Sequence, residues 1–137
     1  MDVADSQLQS PGEIITDRLF RLDGKEFYSL GMWALPRGVP LDQVSWQTWP
    51  QEYMQVAGSR ERMTVEIRRF EGGEACQYMV GRPPVGVEAE VVVPWDVHEA
   101  RVFANEVLDA AEAAELFTAY YHTHDVPETY HLRLLVL

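Results

Sequence analysis

The chain has 137 residues, 47% of them apolar and 24% charged, which fits one globular domain large enough for a hydrophobic core. Twenty-two acidic residues against eleven basic ones leave a net charge of −11, a field that repels phosphate backbones and excludes nucleic acid as the expected partner. No apolar run approaches the ~18 residues of a transmembrane helix, and the lone Cys76 allows no internal disulfide, so a reducing cytoplasm is the expected compartment.

The N-terminal stretch MDVADSQLQSPGE is acidic and polar, without the basic start and apolar run of a secretory signal. Residues 1–13 read as a flexible tail ended by Pro11 and Gly12, and residues 14–137 as a single α+β domain. RLFRLDGKEFYSLGMWAL (18–35) reads as a hairpin turning at Asp23-Gly24, since both residue types tolerate positive φ. Along its second arm Phe27, Ser29, Gly31 and Trp33 share one face, and Tyr28, Leu30, Met32 and Ala34 the other. Three prolines break residues 36–50 into a loop. For residues 52–58 two signals compete: Thr48 to Gln51 resembles a helix-capping box, whereas Tyr53 and Val56 favour a strand. The strand is the preferred reading.

RMTVEIRRF (62–70) and EACQYMVG (74–81) flank Glu71-Gly72-Gly73 and predict a second hairpin. In its first arm Met63, Val65 and Ile67 alternate with Thr64, Glu66 and Arg68, so one face meets a core and one meets water. Strands are also expected at 87–93, ended by Pro94, and at 100–107. The strongest helix signal covers 110–121, where Asp109 and Glu112 form a capping box and Ala110, Ala113, Ala114, Phe117, Tyr120 and Tyr121 fall on one stripe. TYHLRLLVL (129–137) closes the chain as a strand with Tyr130, Leu132, Leu134 and Val136 facing inward. The sum predicts an α+β domain: a twisted antiparallel sheet of about six or seven strands with one main C-terminal helix packed on one face.

YYHTHDVPETYH (120–131) holds three of the four histidines and is the stretch that most resembles chemistry. His122-Thr123-His124 is similar to the H-x-H of metallo-β-lactamases and of JAMM metalloproteases, but Asp125, Leu132 and Leu135 stand where those patterns need other residues. Geometry points the same way, since residues two apart diverge by roughly 200° on a helix. A helix end, with His122 in the last turn against the negative end of the dipole, is the expected role, and no metal ligand is assigned. Cys76 reads as a packing residue, Glu66 and Glu90 as a solvated strand face, and no G-x-S-x-G, G-x-G-x-x-G or P-loop is present. No catalytic constellation and no cofactor are therefore expected.

Trp46, Trp49 and Trp95 lie in predicted loops among acids, which is how aromatic interface anchors with a charged rim are composed. The runs NEVLDAAEAAELFTAYYHTHDVPETYHLRLL and MTVEIRRFEGG…QYMVGRP resemble small acidic actinobacterial proteins of the toxin-immunity type. That resemblance implies an α+β protein of the cytoplasm that binds and blocks a toxin domain. The expected function is a non-catalytic module neutralising a basic toxin domain, with Trp46, Trp49, Glu52, Trp95, Asp96 and Glu99 as its contact residues. Two alternatives stand beside it: a secretion-type chaperone that adds an effector segment to a sheet edge, and a small metal-dependent enzyme using His122, His124 and His131. Open hairpin edges also allow homodimerisation.

Overall fold

In the computed structural model, residues 10–34 and 52–136 are described. The first element is a helix, α1 (Pro11–Phe20). Ser10 accepts from the Glu13 backbone N–H at 3.2 Å while the Glu13 carboxylate accepts from the Ser10 N–H at 2.9 Å, a reciprocal capping box with proline at the first helical position. Residues 11–13, expected in a tail, are thus its first turn, and the expected first hairpin arm is its second half. Ile15 and Leu19, four apart, are its buried stripe.

Asp23-Gly24 does turn the chain, but not between two arms of a sheet. The Asp23 carboxylate accepts the N–H groups of Lys25, Glu26 and Phe27 at 2.8, 3.0 and 3.1 Å, and Gly24 takes φ 80. Those bonds, led by that from Lys25, hold the Asp23 carboxyl below its ordinary range.

Strands β1 (Ser29–Ala34), β2 (Glu52–Gly58), β3 (Met63–Glu71) and β4 (Glu74–Gly81) follow as antiparallel neighbours. The β3–β4 hairpin closes on Gly72-Gly73, both at positive φ (61 and 83), as a two-residue primed turn requires. The chain then leaves the sheet through Arg82-Pro83-Pro84 and builds a separate two-stranded ribbon from β5 (Glu90–Trp95) and β6 (His98–Phe103). Pro94 does not end β5 as expected; it pairs with Glu99 inside the ribbon, exposed at a sheet edge where its missing N–H is tolerated. A short 3₁₀ turn (Ala104–Glu106) leads to α2 (Ala110–Thr123), and β7 (His131–Leu134) joins the sheet beside β4. The main sheet therefore has the order β1-β2-β3-β4-β7.

Alternation sends Met54, Val56, Met63, Val65, Ile67 and Val80 to one face, where α1 and α2 cover them with Ile15, Leu19, Ala113, Leu116, Phe117 and Tyr120. The α+β expectation holds, with a second helix added to it. The α2 stripe includes Leu116, four residues before Tyr120, and excludes Tyr121, which is 48% exposed and lies about 100° round the helix from Tyr120. Leu134 (56% exposed) and Val136 (95%) likewise do not face inward. β7 lies at the margin, and only Tyr130 and Leu132 reach the helical core.

The ribbon lies over the opposite face, packing Val91, Val93, Ala100 and Val102 around Met79. It is tied down at both ends. At its root, the buried Glu106 takes two bonds from Arg133 of β7, at 2.7 and 2.9 Å, and one from the Phe103 N–H. This pair is why the Arg133 guanidinium sits above its ordinary value. At its tip, Trp95 stacks on Tyr28 at 5.6 Å and the Asp96 N–H donates to the Gly24 carbonyl at 2.6 Å, so the Asp-Gly turn serves as a mooring for the ribbon.

Candidate functional site

Because the ribbon covers only part of its face, a cleft of about 370 Å³ remains between β1, β2 and β3 on one side and the ribbon tip on the other. Its walls are aromatic. Trp33, 49% exposed, lies across Gly31, whose missing side chain makes room: a Cβ there would stand 2.8 Å from the indole. Trp95 lines the cleft from the ribbon tip, its ring 4.6 Å from that of His98. The floor is polar, with Gln55, Thr64 and Glu66 projecting from the strands. Glu99 stands exposed at the rim.

A chain of side chains orients Glu66. The Tyr53 hydroxyl donates to Gln77 Oε1 at 3.3 Å, and the Gln77 amide donates to Glu66 Oε1. Trp33 packs against Tyr53 at 5.9 Å, so the indole and the carboxylate share one support. Among the described residues the cleft lining contains no lysine, arginine or histidine. Arg68, next on that face of β3, has interactions of its own.

Of the residues expected to make contacts, Trp95, Asp96 and Glu99 come together at the ribbon tip. Asp96 occupies the turn in the left-handed region, φ 53. Glu52 is not with them. It lies on the helical side, where its carboxylate accepts the Phe70 N–H at 3.0 Å and completes the ladder beyond the start of β2. Trp46 and Trp49 fall outside the described residues, as do residues 36–50 and the possible capping box at Thr48 to Gln51. The sequence reading missed Trp33, Tyr53, Glu66 and Gln77 as one group. The signal available was the alternation that sets Gly31 and Trp33 on one face, a small residue beside a large ring.

The histidine segment resolves as a helix end. α2 stops at His124, which takes φ 58 and donates its backbone N–H to the Tyr120 carbonyl at 2.8 Å. Its ring rests 5.8 Å from that of Tyr120, while Asp125 pairs with Arg69 at 2.7 Å. Arg69 also binds Glu71 at 2.6 Å and lies over the Tyr78 ring. His131 projects from β7 toward the ribbon side with Arg133, so the sheet separates it from His124. Among the described residues no group of three histidine, cysteine, aspartate or glutamate side chains could hold a metal ion. Glu66 and Glu90 do not face each other either: Glu90 is 3.8 Å from Arg101 on the ribbon, and Glu66 is bound to Gln77. Cys76 is half-buried on β4. No described helix is long and apolar enough to cross a membrane.

Comparison of the chain with models of protein families, with curated proteins and with solved structures finds no match.

Proposed function

We propose that this chain is a non-catalytic protein-binding module of the cytoplasm that neutralises a basic partner, in the manner of an immunity protein facing a toxin domain. The observation that carries the reading is the cleft: among the described residues its lining has two indoles, two carboxylates and no cation, on a chain of net charge −11. Interface cores are enriched in tryptophan and tyrosine, and a surrounding charge of one sign steers an oppositely charged partner inward. Support also comes from the ribbon tip, where Trp95 is held by Tyr28 and by the Gly24 contact, so little ordering remains to be done on binding.

Affinity purification from host cells after in-cell cross-linking tests this. The expected result is a folded protein of basic isoelectric point, whose association slows as salt is raised while its dissociation changes little. Recovery of no protein, or of a partner indifferent to salt, overturns the proposal. Recovery of a partner bound as an extended peptide favours the chaperone reading instead. That reading is supported by β7, which has no strand on its outer side among the described residues.

A further inference from the structure

We infer that the cleft is a guanidinium receptor: an arginine side chain of the basic partner enters between Trp33 and Trp95 and is met by Glu66 and Glu99. The inference rests on the protein-binding reading and names the group that occupies its site.

Four features converge on this chemistry. The cleft volume, about 370 Å³, is within the usual range of ligand-binding pockets and exceeds what packing defects leave. Trp33, 49% exposed, offers an indole, the best of the natural rings for attracting a cation, and Trp95, stacked on Tyr28 at 5.6 Å, lines the cleft from the ribbon. Guanidinium is planar and weakly hydrated, so it stacks on such faces with little desolvation cost, whereas ammonium holds its water. Glu66 is half-buried and oriented: Oε1 accepts from Gln77, and Oε2 accepts no bond from the described residues. Glu99 at the rim adds a second acceptor that can exchange water for a donor.

Gly31 is the positioning residue of this arrangement. With contacts of 2.8 and 2.9 Å awaiting any Cβ, Gly31→Ala must push the Trp33 indole off the strand. Its backbone is not in the left-handed region, so alanine is tolerated by the strand itself.

The test is a titration of the isotope-labelled full chain with hexa-arginine peptide, followed through the indole N–H resonances, with hexa-lysine at equal charge as comparison. The expected result is a saturable shift of the Trp33 and Trp95 signals, assigned through Trp33→Phe and Trp95→Phe. Binding of hexa-lysine should be weaker by about fivefold or more. Glu66→Gln and Glu99→Gln together should weaken hexa-arginine by about tenfold, while Glu26→Gln with Glu128→Gln, which removes the same charge elsewhere, changes it by less than about twofold. Gly31→Ala should abolish the Trp33 shift in a chain whose thermal melt shows it folded. Unmoved indole signals, equal affinity for the two peptides, or equal weakening by both double variants would each overturn the inference. If a native basic partner binds the Glu66/Glu99 double variant undiminished, the receptor is refuted and the protein-binding reading survives. If hexa-arginine shifts the indoles as expected but host cells yield no basic partner, the cation preference stands and the protein-binding reading falls.

Discussion

On one side of the main sheet Met54, Val56, Val65, Ile67 and Val80 are at most 1% exposed beneath two helices. On the other side Trp33 is 49% exposed, and Thr64, Gln77 and Glu66 take the places that mirror the core residues. The same strands build both faces, and alternation alone divides them. The helical face is apolar throughout and gains stability only when fully covered. The ribbon face is apolar near Met79 and polar-aromatic beyond it, where the cleft lies. The apolar core and the polar-aromatic cleft thus lie on opposite surfaces of one layer.

The largest expected effect comes from breaking the helical face. Phe117 is fully buried between α2 and the sheet, and Phe117→Ala should cost about 3–5 kcal/mol in urea denaturation. Trp33→Ala should stay within about 1 kcal/mol while removing the Trp33 wall of the cleft. Similar losses for the two would erase the division of labour between the faces.

The ribbon root gives the next effect. Glu106 is 1% exposed and bound twice by Arg133, itself about one-third exposed, so Glu106→Ala strands a partly buried cation and three hydrogen bonds. A loss of about 3 kcal/mol is expected, at the lower end for a buried pair because Arg133 can reach water. Gly81→Ala attacks the same place from the sheet side. Its Cβ would lie 2.9 Å from Glu106 Cγ and 3.0 Å from the Asn105 carbonyl, costing about 1–3 kcal/mol. Hydrogen exchange should show both changes loosening the ribbon before the helical layer. Simultaneous loosening would mean that the two faces form a single cooperative unit.

Much of this division was legible in the sequence, and the exceptions have physical causes. The β3–β4 hairpin was written in alternation and in Gly72-Gly73, and α2 in the Asp109/Glu112 box, which the structure shows intact at 3.0 and 3.2 Å. α1 carries the same kind of box in Ser10 and Glu13, but Pro11-Gly12 between them reads as a breaker although proline suits the first turn. The ribbon turn at Asp96-Val97 has no glycine to announce it. Asp23-Gly24 announced a turn correctly, but a local signal cannot say what the turn will hold, here the ribbon tip. The cleft was hidden for a similar reason. Trp33, Tyr53, Glu66 and Trp95 come from four strands, and only the register brings them together. Glu52 was grouped with Trp95 by composition, yet strand alternation already set it with Met54 on the helical face.

A third test uses pH to probe the helical face alone. Burial, aided by the charges of Glu52 and Asp125, pushes the Tyr120 hydroxyl up to about 12. Below the ordinary tyrosine value near 10, both folded and unfolded chains keep the proton and stability is unaffected. Above it the unfolded chain releases the proton first, so stability falls as pH rises toward the folded value and then levels off. The drop attributable to Tyr120 is about 2–3 kcal/mol at most. Tyr120→Phe should flatten that part of the alkaline stability curve, read by urea midpoints at successive pH values. An unchanged curve would show that the ring's hydroxyl is not sealed in by the helices.

The smallest effect concerns the end of the segment that most resembled a metal site. His124 holds φ 58, a conformation that costs a residue with a side chain about 1–2 kcal/mol and that glycine adopts freely. Against this, glycine in the unfolded chain gives back about 0.5–1 kcal/mol of entropy, and the ring contact with Tyr120 at 5.8 Å is lost. The balance favours His124→Gly by about 0.5 kcal/mol, a rise in Tm of about 2 °C. That sign separates the two readings of the segment. If His124 is there to stop a helix, glycine does the same work better, and the indole shifts of the cleft are untouched. If instead His124→Gly lowers Tm, the imidazole makes a contact on Tyr120 that outweighs its own backbone strain, and the helical face extends one residue further than the burial of α2 indicates.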